Sequence, residues 1–174
     1  VIASLIGLLA LVVSAYTAYV QREQLRAQAE QLRAQVWPHL YVDTANVSPY
    51  VGFHVVNVGM GPASVRKVRV TVDKKAVTSW SGAQQAMGEK PGGVIQSQIS
   101  GTVLPPGKDL TLARPYDDAT TPRFIESFLG DKHAIVVTVC YCSVLETCWV
   151  ASSATEGSID PEPCPIYDWE RFKD

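Results

Sequence analysis

The sequence predicts a mainly β fold: an immunoglobulin-like β-sandwich preceded by one long N-terminal helix that crosses a membrane and continues as a stalk. Three observations predict it. Residues 1–20 carry no charge, and at 1.5 Å per residue such a helix covers roughly 30 Å, the thickness of a bilayer's hydrocarbon core. Residues 21–36 are rich in Gln, Ala, Leu, Arg and Glu, with no Gly or Pro to interrupt a helix. From His39 onward the apolar period changes to two, with turn signals between short runs.

The chain divides into a transmembrane helix at 1–20, a helical stalk at 21–38, a β-sandwich domain at 39–157 and a tail at 158–174 packed on that domain. Beyond the stalk, about 135 residues are enough for one buried core. Net charge is −2 and the isoelectric point is about 5.9, which leaves no electrostatic footprint for nucleic acid. The densest basic group, Arg66-Lys67-Arg69, falls on a strand.

Within the span, Tyr16 and Tyr19 sit next to Arg22 and Glu23, where amphipathic rings prefer the lipid boundary. Two readings compete with a span: a cleaved signal peptide, with Val13-Ser14-Ala15 as a tolerable cleavage site but a shorter apolar core, and a buried core helix, which usually alternates with polar positions as this run does not. A few residues are expected before Val1, because the chain opens without Met. Ala3, Gly7, Ala10, Ser14 and Ala18 line one helix face, where small residues let two backbones approach in lipid; an Ala-rich segment also produces such a stripe by chance. Leu25, Ala29, Leu32 and Val36 continue the seam through the stalk, as in a short parallel coiled coil. The alternative is a helix standing free or packed on its own domain. Trp37-Pro38 stops the helix, since proline disfavours helical geometry in the residue before it.

Strands are expected at 40–47, 51–57, 64–72, 76–79, 94–103, 110–113, 133–142 and 147–151, with short helices at 81–87 and 121–129. In 64–72 the apolar positions Val65, Val68, Val70 and Val72 face one side only if the register slips once. Pro122 suits a first helical turn. The tail is expected to be held by Cys164, Tyr167, Trp169 and Phe172.

Asn57-Val-Gly59-Met-Gly61-Pro62-Ala63 reads as a strand-connecting turn, because no Lys-Ser/Thr or helix follows to make a phosphate loop. The four cysteines fall late in the chain. A five-residue hairpin loop at 143–147 puts Cys142 opposite Cys148, leaving Cys140 for Cys164. Four cysteines allow three pairings, and free thiols remain open for a domain in a reducing compartment. No Cys-x2-Cys knuckle marks a metal site and no Cys-x-x-Cys marks a redox site. His39, His54 and His133 are isolated, and Asp117-Asp118 precede a helix, where carboxylates cap; no enzyme and no cofactor are expected.

The layout resembles a set of small bacterial proteins of unknown function with one N-terminal span, a short polar helix ending in W-P, and a β-domain. The resemblance rests on R-A-Q-V-W-P-H-L (33–40), N-V-G-M-G-P-A (57–63), G-T-V-L-P-P-G (101–107) and C-Y-C-S-V-L-E-T-C-W (140–149). It implies membrane anchoring and brings no catalytic residues. The expected function is a non-enzymatic interaction module in the bacterial inner membrane. Its partners would be lipid and either a larger membrane complex or further copies of itself. A pilin-like fibre subunit is the alternative, although a pilin's early Glu is not seen; a ligand-binding sensor is more remote. Arg22, Arg26 and Arg33 favour a cytoplasmic domain under the positive-inside rule, whereas the clustered cysteines favour the periplasm, which is the expected side.

Overall fold

The computed structural model describes residues 2–47, 50–130, 132–155, 163–164 and 172–173, except for the side chains of 2–6, 8 and 33–35. The chain forms two compact units, Val1–Gln35 and Val36–Asp174.

The first unit is a single helix, α1 (Ile2–Gln35). At 1.5 Å per residue it is roughly 50 Å long. The expected span and stalk are continuous, as a run without Pro and with good helix formers requires. Thr17 satisfies its hydroxyl by donating to the Val13 carbonyl at 2.8 Å, and Arg26 pairs with Glu23 at 3.0 Å one turn away. Among the described residues no helix is long and apolar enough to cross a membrane. The expected span at 1–20 falls partly outside the description, which lacks Val1 and the side chains of 2–6 and 8. Ala3 of the small-residue stripe is among these.

The second unit is built from two antiparallel sheets. In one, β1 (Leu40–Ala45) pairs with β2 (Gly52–Asn57), β2 with β7 (Asp109–Pro115), and β7 with β5 (Val94–Gln96). In the other the order is β4 (Lys75–Val77), β3 (Ala63–Val72), β8 (Ile135–Cys142), β9 (Cys148–Ser152), with β6 (Val103–Leu104) also paired to β3. Phe53 and Val55 from the first sheet and Val68, Val70, Val137 and Val139 from the second share one buried cluster.

The slip in β3 is a register shift between Val65 and Lys67 opposite β8, which leaves Arg66 exposed and turns Val65, Val68, Val70 and Val72 inward together. The expected strand at 94–103 is instead two pieces, because the chain changes sheets there. β5 pairs with β7, β6 pairs with β3, and Ile99 between them is fully buried.

The short helices sit between strands. α2 (Trp80–Ala86) is capped by the Ser79 hydroxyl, which accepts from Gly82 N–H at 3.0 Å. α3 (Thr121–Phe124), with Pro122 in its first turn, runs on into a π-helical turn at Ile125–Leu129. Trp80 gathers Phe53, Phe128 and Phe172 around it at centroid distances of 5.4, 6.0 and 5.5 Å. Phe172 and Lys173 belong to the tail, and Lys173 N–H donates to the Thr78 carbonyl at 2.7 Å. Tyr167 and Trp169 lie outside the described residues.

Candidate functional site

Alternation along β8 sorts its residues between two faces. Val137, Val139 and Tyr141 enter the core, so Cys140 and Cys142 point to the opposite, outer face of the sheet. On β9, Trp149 and Ala151 face the core and Cys148 lies directly across from Cys142, with Cα atoms 3.9 Å apart. The tail brings Cys164 onto the same outer face, its Cα 5.6 Å from that of Cys140. The cysteines are thus paired Cys140–Cys164 and Cys142–Cys148. The two pairs are neighbours: the Cys142 and Cys164 sulfurs are 4.0 Å apart, and those of Cys142, Cys148 and Cys164 all lie within 4.8 Å of one another. Cys140 and Cys142 are buried although they face away from the core.

The same end of the domain carries an apolar rim. Ser64 pairs with both Cys142 and Val103, so the β2–β3 turn, β6 and the β8–β9 tip meet there. Val58, Met60, Val103, Val144 and Leu145 are exposed on these elements. The sequence carries one signal of it: turn tips are ordinarily polar, and Val144-Leu145 at a hairpin tip breaks that habit.

Asn57 organises this end. Its side-chain amide donates to the carbonyls of Gly61 (2.9 Å) and Leu104 (2.8 Å), while its oxygen accepts from Gly59 N–H (3.0 Å). The residues from Asn57 to Ala63 therefore serve as a structural turn in the described chain. A Cβ on Gly61 would collide with the Val36 carbonyl, and one on Gly59 with the His39 backbone.

Among the described residues neither His54 nor His133 stands in a relay. His54 places Nε2 2.9 Å from the Tyr50 carbonyl, while Asp109 (3.2 Å) and Thr111 (3.5 Å) both approach Nδ1. A nucleophile–base–orienter chain needs its two partners on opposite ring nitrogens. His133 contacts Asp73 at 2.8 Å in an exposed turn, lowering the Asp73 carboxyl below its ordinary value. Asp117 accepts from Thr120 N–H at 2.9 Å ahead of α3.

A cleft of about 260 Å³ opens beside α3, lined by Gln84, Glu89, Arg123 and Ser127 among others. Arg123 Nε donates to Glu89 at 2.6 Å and the Ser127 hydroxyl at 2.9 Å, which together hold the Glu89 carboxyl below its usual range. Gln84 binds both the N–H and the carbonyl of Gly92. These polar groups tie the 89–93 loop to α2 through Gln84, to α3 through Arg123 and to the π-helical turn through Ser127.

On α1, the side chains of Ala10, Ser14, Ala18, Leu25 and Leu32 are exposed in the single chain, and a Cβ on Gly7 would meet nothing within 4 Å.

No curated protein and no solved structure matches the chain. One family does, and it takes in the helix as well as the β-domain, through 57–63, 101–107 and 140–149. Its model matches residues 2–163, so the chain belongs to the family described as a domain of unknown function, DUF8453.

Proposed function

We propose that the chain is a membrane-anchored, non-enzymatic interaction module, acting as an accessory subunit of a larger membrane complex or as a small homo-oligomer. The observation that carries this reading is the uncharged run at 1–20, which from Ile2 onward is continuous in one helix with the stalk. Leu9, Leu11, Val12 and Val13 are all exposed along it, an apolar surface that water does not favour and lipid does. The small stripe and the leucine seam offer it faces for another helix.

The β-domain is read as immunoglobulin-like. Setting β6 aside, the orders β1-β2-β7-β5 and β4-β3-β8-β9 correspond to the ABED and C′CFG sheets of that architecture. In that reading the apolar rim lies on the B–C and F–G loops, a surface suited to a protein partner. Anchored in a bacterial inner membrane, the domain is placed in the periplasm: two cysteine pairs at bonding distance favour that oxidising side, against the pull of Arg22, Arg26 and Arg33.

A pilin-like fibre subunit is the second reading, favoured by an apolar N-terminal helix joined to a β-domain with late cysteines. Native mass after mild detergent extraction separates the readings. A partner of different mass or a small closed oligomer supports the module, and a polymer ladder supports the fibre. A monomer released by an aqueous wash overturns anchoring. Alkylation at harvest followed by non-reducing peptide mapping tests the side; four alkylated cysteines would turn the domain inward.

A further inference from the structure

We propose that, once its two bridges are reduced, the domain binds one zinc ion through Cys140, Cys142, Cys148 and Cys164. Zinc holds thiolate at about 2.3 Å in a tetrahedron, which places its sulfurs about 3.8 Å apart. Three of the four sulfurs already lie within 4.8 Å of one another, with Cys142 and Cys164 at 4.0 Å. The fourth, Cys140, lies outside that group but is paired with Cys164, Cα atoms 5.6 Å apart, so that once the bridge opens a side-chain rotation would bring its sulfur to the same ion.

The arrangement explains why the usual spacing is missing. A zinc knuckle presents two cysteines from one tight turn; here the fold does it by strand pairing. Cys140 and Cys142 stand two apart on one face of β8, Cys148 faces Cys142 from β9, and the tail supplies Cys164. Among the described residues the group contains only sulfur donors, a soft set that suits zinc and disfavours calcium or magnesium. The cluster lies on the outer face of the sheet, away from Val137, Val139 and Tyr141, so exchanging bridges for metal leaves the core packing in place.

The chemistry balances. Each bridge accepts two electrons and two protons from a dithiol, which closes to its own disulfide, and two S–S bonds become four thiols. One zinc ion then replaces four protons, giving a site of charge −2. The metal would keep the tail clipped to β8 while the bridges are open. This inference does not rest on membrane anchoring.

The test uses the full chain in detergent micelles, reduced without oxygen by a trialkylphosphine, which leaves as its oxide with oxygen from water. Cobalt is titrated first, then zinc. The expected result is one cobalt per chain, with thiolate charge-transfer absorption and the intense visible bands of a tetrahedral site, both abolished by one equivalent of zinc. The unreduced chain shows neither. Cys148→Ser and Cys164→Ser should each weaken zinc by more than the roughly 10–100-fold typical of outer-shell changes. Reduced chain that keeps its β-sheet circular dichroism but gives no tetrahedral cobalt spectrum overturns the proposal. So does equal affinity in both serine variants and the parent, or a sheet signal lost on reduction that zinc fails to restore.

Discussion

Asn57 reaches Leu104, forty-seven positions along the chain, with a 2.8 Å hydrogen bond from its side-chain amide to the backbone carbonyl. One buried side chain thereby joins the β2–β3 turn to β6. Asn57→Ala would leave the Gly61 and Leu104 carbonyls and the Gly59 N–H without this partner. The expected loss is about 2–4 kcal/mol, read from the urea midpoint. Asn57→Asp should not rescue it, because a carboxylate keeps the acceptor but loses both donated bonds and buries a charge.

The β3–β4 hairpin turns on Asp73 and Lys74, at φ of 49° and 68°. Left-handed backbone favours glycine at either position, yet the two should behave oppositely. Lys74→Gly is expected to stabilise by about 0.5 kcal/mol, the net of relieved strain and added unfolded-state entropy. Asp73→Gly should destabilise, because Asp73 also binds His133 Nδ1 at 2.8 Å and Ala134 N–H at 3.0 Å. A gain from both substitutions would show that those contacts contribute nothing.

Acid should loosen two tethers. Asp73 is held down by His133 and Ala134, and Glu89 by Arg123 and Ser127, from ordinary values of 3.8 and 4.5. A carboxyl depressed by folding contributes stability that is fully present above its unfolded value and disappears as pH falls through its folded value. The acid limb below those ordinary values should therefore be shallower in Glu89→Gln, with the urea midpoint near neutral pH lowered. Identical acid limbs in parent and variant would remove Glu89 from the account.

Assembly through α1 has a positional signature. Gly7→Leu and Ala10→Leu should weaken self-association or partner capture in detergent, while Leu9→Ala on another face should not. Leu25→Asp with Leu32→Asp should abolish any association carried by the stalk. An unchanged native mass in all four would assign the contacts to the β-domain.

Much of the fold was legible because its signals are local. The inward set Val65, Val68, Val70 and Val72 announces both β3 and its slip, and Pro122 marks the first turn of α3. The run at 94–103 was misread as one strand, since a strand that changes sheets keeps its apolar residues while losing its partner; Ile99 is buried without belonging to either ladder. The cysteine pairs were open to reasoning because hairpin register puts Cys142 opposite Cys148. Their proximity to each other was not, since it depends on where the tail crosses the outer face of β8. The apolar rim was equally out of reach, because Val58, Val103 and Val144 are far apart in sequence and are joined by long-range contacts, the pairing of Ser64 with two strands and the Asn57–Leu104 bond.

The chain leading into the β-domain is fastened before its first strand begins. The Trp37 carbonyl accepts from Met60 and Gly61 N–H at 3.0 Å each, and the His39 carbonyl from Val58 N–H at 2.8 Å. The β2–β3 turn thus does two jobs with one set of backbone groups: it joins two strands, and it holds residues 37–39 in line ahead of β1. Detaching that segment would cost the turn its own bonds at Val58, Met60 and Gly61, so the entry to β1 and the exposed Met60 share one fastening.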